Sequence, residues 1–425
     1  MYSSKTVTSL LKLYNSLTRK LEIFKPLEKR KVKMFTCGPS IYQLPHIGNY
    51  RTFVFEDILQ RYLEYLGYSV ERVLNITDVE DKALAEAENQ NINLNELTDS
   101  NIKTFISELK HLKVKIPDYL PRSSTTVDQA VHIIEILLEK GYAYPYTYKG
   151  RKNIYYDPLK FDGFGKLFGL DMSKWPKKKK RFHRDTYTGN RWNKGDFILW
   201  HGYKEGDKVY WNTKIGKGRP SWNIQDPAMM PKTFDFKVDI WCSGIDSTYR
   251  HHDYIIAVVE AITGKPFVCY WLHAAHLLLE GEKMSKRKGN IEYPRDLLET
   301  ECIWNHIRFF FIYGHYKRKL NFTFKKYTQV CRLLENFRDM VNKLGVAEGA
   351  EQKSSVRAKK LVKKITTDFE ENMNNGLQVK AAFDSLYKTV SRLVSLKEKQ
   401  GLSAEDSKEA LAKLKAIDYV LQAIF

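Results

Sequence analysis

The chain has little cysteine: five residues in 425, at Cys37, Cys242, Cys269, Cys302 and Cys331, with no Cys-x-x-Cys pair. That scarcity and scatter exclude a disulfide framework and point to the cytoplasm. Long hydrophobic runs are also missing. Nothing approaches the roughly 20 apolar residues a membrane-spanning helix needs, so no membrane partner is expected. Acidic residues are outnumbered, 50 Asp and Glu against 70 Lys and Arg, for a net charge of +20. A lysine-rich surface releases counterions from phosphate, which favours nucleic acid as a partner. No internal repeat occurs.

What is present reads as an α/β chain of several domains. "KVKMFTCG" reads as a strand, "PSIYQLPHIGN" as a turn-rich loop, "YRTFVFEDILQRYLEYLGY" as an amphipathic helix and "SVERVLNI" as a second strand. This order begins a parallel sheet. Residues 1–30 read as a helical extension and residues 31–142 as the first half of a core. Short aromatic segments with glycines between 143 and 218 suggest an inserted, mostly β module, which carries the basic run "KWPKKKKRFHR". Residues 219–302 restore strand, helix and strand. Residues 303–425 read as helical to an apolar end, "LKAIDYVLQAIF", expected to pack.

Two motifs carry chemistry. In "LPHIGNYRT", His46 and Asn49 flank Gly48 at a helix start, where unpaired N–H groups and a glycine allow close approach of an anion. In "GEKMSKRKGN", Lys283 and Lys286 bracket Ser285, and their ammonium groups suit stabilisation of charge developing on a phosphate. Alone, the first is equally a turn and the second a solvated basic loop.

With the strings "FTCGPSIYQLPHIGNYRTFVFEDILQRYLEYLGY", "LNITDVEDK", "GKGRPSWNIQDPAM", "GKPFVCYWLHAAHLLLEGEKMSKRKGN" and "RFFFIYGHYKRKLNF", the chain resembles class I aminoacyl-tRNA synthetases, and among them the cysteinyl-tRNA synthetase family. The resemblance implies a Rossmann-like core with an inserted subdomain and a C-terminal helical bundle. It implies ATP with Mg2+ as cofactor, an amino acid substrate, an aminoacyl-adenylate, and tRNA as acceptor, in a monomer. His46, Gly48, Asn49, Lys283, Ser285 and Lys286 would hold ATP, with His46, Asn49, Lys283 and Lys286 catalytic. Asn49 stands at the second histidine position of the first motif, and Arg287 at the final serine of the second.

The family's zinc, which binds the substrate thiolate through two cysteines, a histidine and a glutamate, transfers onto Cys37, Asp226, His251 and Ile255. Isoleucine cannot ligate, so a zinc-free pocket is expected, with Cys37, Asp226 and His251 as residual metal candidates and Cys242 as a substitute. Trp241 stands where a histidine is expected. Cys37, Thr77, Asp78, Trp222, Asp226, Trp241 and His251 are the expected substrate contacts, with Asp78 near the ammonium group and helix capping the plain alternative for it or Thr77. Asp246 and Tyr249 are further wall candidates. The family's anticodon-reading module would begin where this chain stops, and it is not expected here. Two other readings stay open: an adenylate-forming ligase that passes its acyl group to a small amine, and a silent RNA-binding paralogue.

Overall fold

The computed structural model describes residues 10–174, 195–230, 233–285, 288–298, 303–345 and 354–425. It opens on an antiparallel hairpin, β1 (Lys12–Asn15) and β2 (Lys20–Ile23), rather than on the expected helix. The reason lies in the alternation: Leu11, Leu13 and Asn15 are buried while Lys12 is exposed, a period of two that a strand satisfies and a helix does not. Residues 1–9 lie outside the described residues.

The core is a parallel sheet. Its first half is β3 (Lys31–Thr36), α1 (Ile47–Tyr65) and β4 (Ser69–Leu74). Next come α2 (Asp81–Asn89), α3 (Leu94–His111) and α4 (Val127–Glu139), with one helical turn at Ser123–Thr125. The aromatic stretch forms an antiparallel sheet in chain order: β5 (Ala143–Tyr148), β6 (Arg151–Tyr156), β7 (Phe197–Gly202) and β8 (Gly218–Pro220). Its basic run lies outside the described residues apart from Lys174.

After α5 (Trp222–Met229), the second half returns with β9 (Val238–Gly244), α6 (Asp253–Thr263) and β10 (Val268–Ala274). The sheet order is β10-β9-β3-β4, with every pair parallel. The two halves meet between β3 and β9, so strand order reverses there. In such sheets the crevice beyond the carboxyl ends at this point is where ligands bind. A small sheet, β12 (Glu282–Lys283), β11 (Leu277–Leu279) and β13 (Leu320–Phe322), carries the second motif's lysine. Helices α7 (Pro294–Leu298), α8 (Trp304–Ile312), α9 (Phe324–Gly345), α10 (Val356–Asn374), α11 (Val379–Gln400) and α12 (Ala404–Leu421) complete the chain.

α1 is buried along most of its length, including its charges. Asp57 accepts from Arg61 Nε at 2.9 Å and from Arg308 Nη2 at 2.6 Å. Arg308 also donates to the carbonyls of Leu112 and Leu421, each at 2.8 Å, tying α8 and α12 to the core. The apolar end packs as expected: Ala423 and Ile424 are buried, and Asp418 accepts from their backbone N–H groups.

Candidate active site

A cavity of about 350 Å³ opens at the β3/β9 crevice, lined from both halves of the sheet. His46, Gly48 and Asn49 form one wall, Lys283 and Met284 another, and Cys37, Thr77, Trp222, Asp226 and His251 the floor. Residues separated by more than 200 positions therefore share one space. Lys286 and Arg287 lie outside the described residues.

His46 is the N-cap of α1. Its Nδ1 accepts from Gly48 N at 3.0 Å, while Asn49 Oδ1 accepts from His46 N at 3.1 Å, a reciprocal capping box. With the Nδ1 lone pair engaged, the neutral ring carries its proton on Nε2 and is a donor there. Asn49 keeps its amide N–H groups as donors. The motif's residues thus cap a helix and present hydrogen-bond donors at once. Gly38 is needed for a different reason: a Cβ there would sit 1.7 Å from Asn75 O, where the ends of β3 and β4 close on each other.

The floor is a polar cluster built on β3, α5 and the start of α6. Asp226 is fully buried, accepts from Asn75 Nδ2 at 2.8 Å and has Oδ2 2.8 Å from His251 Nε2. Trp222 stacks on His251, ring centroids 3.9 Å apart. Cys37 Sγ lies 3.3 Å from His252 Nε2, 3.8 Å from Asp226 Oδ2 and 4.0 Å from His251 Nε2. Burial, then the Asp226 charge, push the Cys37 thiol well above its ordinary range. Burial and the neighbouring His273 and His251 push His252 well below its own, so its imidazole is neutral. Trp241 lies beneath the cluster, stacked on Phe35, and its indole N–H donates to Cys37 Sγ at 3.2 Å.

Arg250 explains the approach of both histidines. It has φ 68° and ψ −66°, a strained turn conformation rare for a non-glycine residue, immediately before His251 and His252. The kink delivers two consecutive histidines to one thiol.

The expectation of a zinc-free pocket is overturned. Cys37, His251 and His252 bring ligand atoms within 4.8 Å of one another. Tetrahedral zinc with ordinary Zn–S and Zn–N lengths separates sulfur from nitrogen by roughly 3.6 Å, between the 3.3 and 4.0 Å found here. One thiol and two imidazoles are also a donor set that zinc favours. The residues fit the metal. Transfer of the family's spacing points to Ile255, four residues past His251, which cannot ligate, and passes over the adjacent His252. The "HH" doublet was the available signal.

Other expected residues fall differently. Thr77 lines the cavity, its backbone paired with Pro39 and Ile41. Asp78 does not line it: its carboxylate accepts from Ser123 Oγ at 2.7 Å and from Ser124 N and Oγ at 2.9 and 2.6 Å, which fixes the turn before α4. Asp78 therefore braces the Ser123–Ser124 turn, and it is not the N-cap of α2, which is Glu80. Cys242 is buried in the core beneath the sheet. Tyr249 packs on Phe168 rather than forming a wall. Asp246 does line the cavity, with Oδ2 3.4 Å from Lys283 Nζ.

Solved structures share this architecture. A Mycobacterium tuberculosis methionyl-tRNA synthetase in complex with methionyl-adenylate superposes with TM-score 0.65 at 12% identity, covering 93% of this chain and 90% of that one. A putative arginyl-tRNA synthetase from Campylobacter jejuni gives 0.56 at 14% identity, with 94% of each chain covered. The fold is that of a class I aminoacyl-tRNA synthetase. Residues 23–332 match the family described as tRNA synthetases class I (C) catalytic domain, and the chain belongs to that family. The Cysteine--tRNA ligase of Chlamydia pneumoniae is 37% identical over 97% of this chain and 86% of its own length. Those of Brachyspira hyodysenteriae and Methanococcus maripaludis are 36% and 33% identical, over 89% and 91% of this chain and 79% and 81% of their own lengths.

Proposed function

We propose that this protein activates an amino acid with ATP and transfers it to tRNA, as a cysteine–tRNA ligase. The observation that carries the reading is the single cavity shared by His46, Gly48 and Asn49, by Lys283 and Met284, and by Cys37 and His251. The amino acid carboxylate attacks the α-phosphate of ATP, the bond to the β-phosphate breaks, and pyrophosphate leaves. A hydroxyl at the tRNA 3′ end then displaces AMP from the adenylate.

His46 Nε2–H and the Asn49 amide supply donors to phosphate oxygens, Lys283 supplies charge from the opposite wall, and Ser285 and Lys286 of the same motif would add a hydroxyl and a second charge. These groups act on charge that grows in the transition state, where preorganised donors lower a barrier most. Mg2+ accompanies the nucleotide. Cys37, His251 and His252 would hold zinc, which when bound offers a soft Lewis-acid site for a substrate thiolate. Trp222, stacked on His251, together with Thr77, bounds the amino acid space. A thiol-selective floor suits cysteine, since loss of such a contact rejects serine better than shape alone.

The division into core halves at 31–142 and 219–302, an inserted module at 143–218 and a stem-contacting helical region at 303–425 belongs to the same reading. It is supported by a sheet that takes β3 and β4 from one half and β9 and β10 from the other. The exposed Lys317, Arg318 and Lys319 and the net charge of +20 support tRNA contact. No described helix is long and apolar enough to cross a membrane. A cytoplasmic monomer is the proposed working form.

The test is ATP–pyrophosphate exchange with each of the twenty amino acids, followed by tRNA charging, with zinc quantified on the same sample. Cysteine-dependent exchange and charging are expected. Exchange without charging of any tRNA would replace tRNA by a small amine acceptor, and no exchange at all would make the protein a silent paralogue.

A further inference from the structure

The cluster at the cavity floor continues from His252, away from substrate, to the buried His273 and the half-buried Ser16, which the proposed reaction does not use. His252 Nδ1 lies 2.8 Å from His273 Nε2. His273 Nδ1 lies 2.8 Å from Ser16 Oγ. Both rings are buried, at 0% and 3% exposure, so neither has water as an alternative partner. Cys37 Sγ faces the remaining nitrogen, His252 Nε2, at 3.3 Å.

Ser16 comes from the turn of the N-terminal hairpin, outside the parallel sheet's two halves. Its position is held by the edge strand. Ser16 N donates to Trp271 O at 2.8 Å, and the neighbouring Asn15 accepts from Trp271 N at 3.2 Å and donates to Cys269 O at 3.0 Å. Along β10, Trp271 and His273 are two residues apart and share a face. Anchoring the hairpin at Trp271 therefore carries the Ser16 hydroxyl to His273.

Neutral imidazoles in such a line have two consistent proton arrangements. In one, His252 Nδ1–H donates to His273 Nε2, His273 Nδ1–H donates to Ser16 Oγ, and His252 Nε2 offers a lone pair towards Cys37. The reverse arrangement puts a proton on His252 Nε2 and closes it to a metal. A ligating histidine characteristically donates its other N–H to a neighbouring acceptor, which fixes tautomer and ring orientation.

We infer that His273 and Ser16 are positioning residues for zinc, holding His252 in the tautomer whose Nε2 lone pair joins Cys37 and His251. This inference rests on the metal reading of the Cys37, His251 and His252 cluster. It gives the N-terminal hairpin a part in the site: a segment outside the parallel sheet sets the proton position on a ligand at the sheet's carboxyl end.

The experiment measures zinc affinity of the full chain by chelator competition, together with the thiolate-to-cobalt absorption of the cobalt(II)-substituted protein. Variants are His273→Leu, His273→Gln, Ser16→Ala and Cys37→Ser. His273→Leu keeps an apolar ring-sized volume but removes the acceptor, and is expected to weaken zinc about 10–100-fold. His273→Gln restores an acceptor oxygen and should recover most of that loss, while Ser16→Ala weakens binding by a smaller factor. Thermal unfolding of the metal-free variants verifies that each one folds. If Cys37→Ser loses zinc while His273→Leu binds it as tightly as the wild type, the inference fails and the metal reading stands. If His273→Gln binds as poorly as His273→Leu, the hydrogen-bonding role is overturned. A wild-type chain that takes up neither zinc nor cobalt would overturn the metal reading and this inference with it.

Discussion

Gly48 and Met284 meet so closely that a Cβ on Gly48 would lie 2.9 Å from Met284 Cε, with His46 Cε1 at 2.8 Å on its other side. The first motif's glycine is thus a place where the second motif's loop and the capping histidine converge. Its role is the space it leaves open.

Gly48→Ala tests that contact. At the second position of α1, alanine favours the helix by about 0.5–1 kcal/mol, so the fold should hold. The methyl group must displace the His46 ring or the Met284 side chain. Misplacement of positioning groups by fractions of an ångström is costly to catalysis, and pyrophosphate exchange is expected to fall at least about tenfold. Unchanged exchange, at an unchanged melting temperature, would remove the two-motif contact from the mechanism.

Asp226 joins Asn75 to His251 and reaches the cluster without replacing its thiol or imidazoles. Its Oδ2 lies 2.8 Å from His251 Nε2, the nitrogen that also faces Cys37. A bound metal must therefore displace that contact and meets the carboxylate as a further oxygen donor, which Asp226→Asn removes. With that oxygen donor gone, zinc affinity should fall while the KM for ATP stays near the wild-type value. A changed KM for ATP with unchanged zinc binding would place Asp226 with the nucleotide instead.

Glu56 lies on α1 beside Arg72, both fully buried, with 3.3 Å between Oε2 and Nη2. Burial, only partly opposed by the Arg72 charge, pushes the Glu56 carboxyl up to about 8. An unfolded glutamate ionises near 4.3, so between these values the folded chain holds a proton that the unfolded chain has released. The associated stability is fully present below the unfolded value and lost as pH rises through about 8. Urea unfolding between pH 5 and 8 should show wild-type stability falling relative to Glu56→Gln, by up to about 1.4 kcal/mol per pH unit. Parallel pH profiles would show that Glu56 is ionised in the fold.

Arg308 is fully buried and satisfies Asp57 and two carbonyls from separate parts of the chain. Arg308→Met leaves these acceptors without that donor and is expected to cost about 3–5 kcal/mol, as does loss of one partner from a buried ion pair. Equilibrium unfolding of the full chain measures it. A loss below about 1 kcal/mol would mean that Arg61 and water replace Arg308.

The α/β core was legible because its determinants are local. Alternation in "KVKMFTCG", helical spacing after Tyr50 and the glycine of the first motif each act within a few residues, and both lysine-bearing and histidine-bearing motifs could be read as strings. The hairpin at the start is not legible in the sequence because "KLYN" is four residues long, too short for periodicity to separate strand from helix without the β10 edge that Ser16 docks on. Asp78 looked available because its partners, Ser123 and Ser124, stand 45 and 46 residues away.

By itself the sequence determined the family, the order of the core elements and the two motifs that line the cavity, since those follow from short-range pattern and motif. Only the tertiary structure decided the floor of the cavity. There, a strained turn at Arg250 brings His252 as well as His251 to Cys37, and the docked hairpin brings Ser16 to His273. Ligand geometry is a matter of distances among residues far apart in the chain, and those distances exist only once the sheet has closed.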